Sequence, residues 1–211
     1  MHIPDGFLDT KTWVSLGVVS AGLIAVAVAR ANKKLGDKHI PLMGIMSAFI
    51  FAAQMLNFPV AGGTSGHFMG SVLAAILLGP FASILIMTTV LVVQCLVFAD
   101  GGITALGANI FNMAVIGSLI GYIIYFILYK ILRFRIGRLI AVFIAGWCSI
   151  VLAASACALE LWLSGTIVLN IALPAMAGWH ALIGIGEGLI TVAVISFIMT
   201  TRPDLLELEK I

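Results

Sequence analysis

The sequence predicts an all-α integral membrane protein: a bundle of seven transmembrane helices, with the N-terminus outside and the C-terminus in the cytoplasm. Three observations carry this prediction. Of 211 residues, 62% are hydrophobic and only 9% charged, where a soluble domain carries about a quarter charged residues. Mean hydropathy is +1.20. The apolar residues form long unbroken runs with no alternating ten-residue pattern, which points to helices rather than a barrel. Counted across seven runs, ten of the eleven Lys and Arg fall on one side and only Lys11 on the other, so the positive-inside rule sets the orientation.

Taken in order, the first run covers about Thr12–Ala29 and is closed by Arg30, Lys33, Lys34 and Lys38. The second covers Ile40–Leu56 and ends at Asn57-Phe58-Pro59. The stretch Pro59–His67 follows, uncharged and rich in glycine, and reads as a loop able to bend closely around something. His67–Leu78 is too short to cross a hydrocarbon core of about 30 Å at 1.5 Å per residue. Leaving it out would put the Arg133 cluster opposite the Arg30 cluster, so it is counted as a crossing. Phe81–Phe98 comes after Gly79-Pro80, and Asp100-Gly101-Gly102 makes a turn. Thr104–Tyr129 and Leu139–Leu163 are separated by Lys130, Arg133, Arg135 and Arg138. The last run is Met176–Met199, ahead of Arg202-Pro203 and a short polar tail. The chain thus reads as one membrane domain, residues 1–211: an extracellular segment 1–11, a bundle 12–200 and a cytoplasmic tail 201–211.

That topology gathers Met1–Asp9, the Pro59–Gly66 loop, Asp100-Gly101-Gly102 and the Ser164–Ala175 connection on the outer face. The first two residues carry a chelate there. The α-amine of Met1 and the amide of His2 close a five-membered ring on a metal, and the amide and Nδ1 of His2 close a six-membered one. Such a planar nitrogen grip suits Ni(II) or Cu(II), and His67, on the same face, can supply a fourth donor. His2 also keeps Met1 in place, because initiator methionine is removed only before small residues. His180 opens the last run on this face as a fifth ligand, a supporting partner or a packing residue. His39 lies among lysines at the other end, out of reach.

Glu160 and Glu187 are acids inside apolar runs, where ionisable groups are costly. Glu160 lies near the outer end, within reach of water. Glu187, set among Gly184, Gly186 and Gly188, reads as a buried structural hydrogen bond or a partner contact rather than a metal ligand. Asn109 and Asn112 could fix the N-terminal segment, orient His67 or join helices. Small residues recur at every fourth position in Ala21-Ala25-Ala29, Ala48-Ala52 and Gly117-Gly121, fit for close packing or for a groove where another membrane protein docks. Cys95, Cys148 and Cys157 have no CxxC spacing and read as buried thiols. No charged start of the secretory kind and no nucleotide motif is seen, so energy for any transport comes from elsewhere. The runs hold too few polar residues for a channel and no catalytic pair for an intramembrane protease, so an enzyme is not expected and no catalytic residue or resident cofactor is named.

Met1-His2-Ile3-Pro4-Asp5-Gly6, the stretch His67-Phe68-Met69-Gly70 leading to Leu77-Leu78-Gly79-Pro80, and Phe98-Ala99-Asp100-Gly101-Gly102 through Ala105–Asn109 to Asn112-Met113 resemble the CbiM/NikM family. Its members are substrate-binding S-components of energy-coupling-factor importers for nickel or cobalt. The resemblance covers nearly the whole chain. It implies seven helices with the N-terminus plugged into an outward-facing metal pocket, and metal-binding positions at Met1, His2 and His67. It also implies partners in a prokaryotic cell membrane: a transmembrane coupling protein, two ABC ATPase subunits and a small accessory membrane protein, with no nucleic acid. Ligand field leans to nickel first and Co(II), destined for cobalamin synthesis, second, because a strong-field nitrogen plane favours low-spin d⁸ Ni(II). A vitamin-binding S-component is the rival from another class, disfavoured by the lack of aromatic and polar pocket residues.

Overall fold

The computed structural model describes residues 1–36, 39–60 and 64–206. Helix α1 (Thr10–Lys34) is started by Asp9, whose carboxylate accepts from Thr12 N at 3.0 Å, and it ends with Lys33 and Lys34. Cations there suit the negative end of the helix dipole. Helix α2 (His39–Gln54) leads into an antiparallel ribbon of β1 (Phe58–Val60) and β2 (Thr64–Gly66), with Phe58 opposite Gly66. The sequence had read this stretch as a loop. Of the glycines it relied on, Gly62 and Gly63 lie outside the described residues.

Helix α3 (Ser71–Leu78) is the centre of the bundle, and every one of its residues is buried. At eight residues it is only about 12 Å long. It touches α2, then α4 (Pro80–Phe98), α5 (Leu106–Ile131), α6 (Arg135–Leu163) and α7 (Leu169–Thr201). Its ends are fixed by two glycines in left-handed or extended positive-φ conformations, Gly70 at φ +79° and Gly79 at φ +86°. A side chain at Gly70 would also meet Ile50 and Phe68, with contacts of 2.8 and 2.9 Å from its Cβ. Pro80 sits in the first turn of α4, where its missing N–H costs nothing.

Helix α5 contains a π-helical stretch over Ile110–Ile120. Wide turns of this kind are rare and concentrate at functional sites. Helices α6 and α7 lie close together because small residues face each other: a Cβ on Gly146 would stand 3.4 Å from Gly188 Cα, and one on Gly184 would stand 2.9 Å from Trp147. Gly117 and Gly121 likewise admit Ser71, Val72 and Ser149, so that pair packs within the bundle. Ala21, Ala25, Ala29, Ala48 and Ala52 instead remain exposed.

All seven runs became helical segments. Among the described residues five are long and apolar enough to cross a membrane, whereas α2 is shorter and α3 far shorter. The largest boundary difference is in α7, which starts at Leu169 rather than near Met176 and takes Pro174 into the helix. Proline there removes one hydrogen bond early in the helix, and the long helix that follows carries it.

Candidate metal centre

The first three residues fold into the bundle. Met1 is fully buried and Ile3 nearly so. Their backbone would be costly to bury without partners, and Asn109 on α5 supplies them. Its Oδ1 accepts from Ile3 N at 2.8 Å, and its Nδ2 donates to Ile3 O at 3.1 Å. Gly102 N donates to the same carbonyl at 2.9 Å. The Asp5 carboxylate accepts from Ile103 N at 3.1 Å and Thr104 N at 2.8 Å. The Thr104 hydroxyl and backbone bonds hold its pKa below the usual carboxylate range. Further along, Thr166 donates to Phe7 O and Ser164 to Asp9. The N-terminal segment, the Asp100 turn and the α6–α7 connection therefore meet at one end of the bundle, as the sequence placed them.

This clasp brings His2 against His67. Their ring centroids are 4.8 Å apart in an edge-to-face arrangement with an interplanar angle of 78°. His67 is fully buried and His2 almost so. His67 Nδ1 lies 2.8 Å from Phe68 O, and its Nε2 is buried without a partner. His2 Nδ1 stands 2.9 Å from Asp100 Oδ1, and its Nε2 is likewise buried and unpartnered. Burial works against ionised Asp100, yet its hydrogen bond and charge pairing with His2, aided by Asn57, hold its pKa below the ordinary value. The Met1 amine is pushed down from 8.0 to about 6, chiefly because burial disfavours its charged form. Burial thus favours the uncharged form of that amine. Cys157 Sγ approaches Met1 O at 4.0 Å.

No three His, Cys, Asp or Glu side chains among the described residues converge to hold an ion. Beside the two imidazoles stand backbone nitrogens, the Met1 amine and the His2 amide. All four are nitrogen donors, a set suited to the late first-row divalent ions.

The remaining polar candidates divide. His180 is fully buried at the same end, with Nδ1 2.7 Å from Met176 O in its own helix and Nε2 unpartnered. Asn112, unlike Asn109, does not reach the N-terminal segment; it donates to Glu160 at 2.7 Å. Glu160 is buried rather than wet. Glu187 accepts from the backbone N–H groups of Met69 and Gly70 at 2.7 and 2.9 Å. The sequence marks Asp100 only as a turn residue and gives no role to Gln54, which donates to Met69 O at 2.8 Å. An acid on the same face as His2 was the available signal for Asp100, and a lone amide in an apolar run was the one for Gln54.

The family described as the cobalt uptake substrate-specific transmembrane region, CbiM, matches residues 2–205. The chain belongs to the CbiM family. A putative fused nickel transport protein, NikMN, of Archaeoglobus fulgidus is 49% identical over 209 residues, which are 98% of this chain and 68% of that protein. A putative metal transport protein of Haloquadratum walsbyi is 47% identical over 207 residues, 97% of this chain and 93% of its own length. A putative cobalt transport protein, CbiM 2, of Methanocorpusculum labreanum is 32% identical over 216 residues, covering 98% and 92%. A crystal structure described as a truncated transition metal transporter superposes with a TM-score of 0.90 at 37% identity, over 95% of this chain and 99% of that one. These relatives of the CbiM-family chain are named as transport proteins, not enzymes. With five helices able to cross a bilayer, the chain is a multi-pass membrane protein of the prokaryotic cell.

Proposed function

We propose that this CbiM-family chain is the substrate-specific component of an energy-coupling-factor importer, capturing Ni(II) at its outer face, with Co(II) the second choice. The observation that carries the proposal is the buried Met1 end brought against His67 by the Asn109 clasp. The ion is held by the Met1 amine, the His2 amide and imidazole, and His67. His2 Nδ1, the nitrogen able to close the chelate ring, is bonded to Asp100, so loading turns the ring and exchanges that carboxylate for the metal. The names of the relatives, nickel for one and cobalt for another, support a metal of this group. Planarity and amide ionisation tip the reading to nickel.

The chain crosses the membrane seven times as a single domain, N-terminus outside, and its basic residues support that orientation. Energy comes from a transmembrane coupling protein and two ATPase subunits. The fused arrangement named for the Archaeoglobus relative supports a further small membrane partner. The exposed pair Ala48 and Ala52 on α2 is the surface where the coupling protein docks.

The test is the state of the bound ion. Nickel in the purified chain should be diamagnetic, with a weak yellow-to-orange visible band. A paramagnetic six-coordinate signal would contradict ligation by the amide, and cobalt displacing nickel at equal concentration would reverse the order of preference. Orientation is checked by labelling Ser65→Cys and Arg135→Cys variants from outside intact cells; label at 135 but not at 65 would invert the topology.

A further inference from the structure

His67 is held by a two-peptide relay that ends on a carboxylate 120 residues further along the chain. The Phe68–Met69 peptide presents its carbonyl to His67 Nδ1 at 2.8 Å and its N–H to Glu187 Oε2 at 2.7 Å. The peptide bonds among the described residues are all trans, so carbonyl and N–H point to opposite sides of this planar unit. The imidazole therefore lies on one side and the carboxylate on the other. The next peptide, Met69–Gly70, repeats the arrangement: its N–H donates to Glu187 Oε1 at 2.9 Å and its carbonyl accepts from Gln54 Nε2 at 2.8 Å. Two successive N–H groups thus converge on one carboxylate, and Gly70, at φ +79°, then turns the chain into α3. Glu187 and Gln54 are both fully buried, so no water competes for these bonds.

The consequence reaches the imidazole. A carbonyl can only accept, so His67 Nδ1 carries the proton and Nε2 keeps the lone pair. That lone pair is buried and unpartnered beside the His2 ring. A carboxylate drawing on the N–H of a peptide also polarises its carbonyl and strengthens the bond to the imidazole, which raises the basicity of the distal nitrogen.

We infer that Glu187 is a positioning residue for the transported ion, fixing the tautomer and aim of His67 through the Phe68–Met69 peptide with Gln54 locking the neighbouring one. This rests on the reading of His67 as a metal ligand. A carboxylate is required because both of its oxygens accept. An amide of the same size would set its NH₂ against one of the two backbone donors and leave that donor unsatisfied.

The experiment is a double-mutant cycle on the full-length chain, with nickel affinity measured by competition against a chelator. Glu187→Gln should weaken nickel binding roughly 10–100-fold, the range for partners that orient a metal-bound histidine. In the His67→Ala background the same change should cost nothing further. Equal losses in both backgrounds would mean that Glu187 acts only on the fold, and would overturn the positioning role alone. Unchanged affinity in His67→Ala by itself would overturn the ligand assignment and this inference with it. A second measurement needs no variant at Glu187: the ¹⁵N spectrum of histidine-labelled, metal-free protein, with His67 assigned by its absence from His67→Ala. It should show His67 protonated on Nδ1 and bare on Nε2. The opposite tautomer would overturn the relay.

Discussion

The two ends of the bundle treat histidine in opposite ways. At the end that holds the N-terminus, His2, His67 and His180 each set Nδ1 against an oxygen and keep Nε2 buried and unpartnered. At the other end, His39 is only partly buried, and its Nδ1 caps the backbone at Gly36, 3.1 Å from the nitrogen of that residue. A cavity of about 630 Å³ opens there, lined by Arg30, Lys34 and His39 together with Phe81, Tyr122 and Phe126. Its size gives it no claim on a divalent cation, because cationic side chains at its mouth repel one. The opposite end gathers buried imidazoles instead, those of His2, His67 and His180. What sets it apart is imidazole nitrogen removed from water and left unsatisfied, since a buried polar atom without a partner is costly unless something else binds it.

The contrast can be broken most strongly by exchanging one end for the other. His67→Ala should weaken nickel binding about 100-fold or more, because a site with four donors is worth on the order of 10–16 kcal/mol and each 1.4 kcal/mol is tenfold. His39→Ala should leave affinity unchanged. A chelator titration of both variants decides, and similar losses in the two would erase the distinction between the ends.

Next in size is the clasp. Asn109→Ala leaves Ile3 N–H buried without its acceptor, a loss of about 1–3 kcal/mol. It should lower nickel affinity roughly tenfold or more, and also make the N-terminus accessible to amine-reactive label. Unaltered labelling would show that other contacts seat the segment.

Acidity probes the amine. Its pKa in the fold is about 6 rather than 8.0, so above about pH 6 it binds metal without first losing a proton. The amide must ionise at every pH. Affinity should therefore fall about tenfold per unit of acidification from the amide alone, and more steeply below about pH 6, where the amine also has to be deprotonated. A binding curve indifferent to pH between 5 and 8 would rule out both as ligands. The smallest effect belongs to Asp5, whose bonds to Ile103 and Thr104 are exposed. Asp5→Asn should weaken binding only about twofold, the low end for a solvent-exposed hydrogen bond. The same titration would register a larger loss if the exposed clamp mattered as much as the buried one.

Much of this was legible in the sequence, for identifiable reasons. The helical segments follow from hydropathy. The short His67–Leu78 run was kept by charge asymmetry alone, and it became the wholly buried α3. The chelate proposed for Met1 and His2 can be written from the sequence because its three nitrogens belong to neighbouring residues and need no fold to meet. Longer-range chemistry was less visible. Asp100 meets His2 across 98 residues and Gln54 meets Met69 across 15; no local pattern marks either pairing. The π-helical stretch Ile110–Ile120 has the composition of any apolar helix. The last run begins near Met176 in the sequence, whereas the helix of 33 residues starts at Leu169 and takes Pro174 in.

The central claim is that the amine of Met1 itself binds the transported ion, and a removable N-terminal extension tests it most directly. The chain is purified with a long extension that a protease cuts immediately before Met1. Nickel content is measured by elemental analysis after desalting, before and after the cut. Little tightly bound nickel before cleavage and about one ion per chain after it is the expected result. Equal nickel in the two samples would mean that the buried end is a plug and not a ligand.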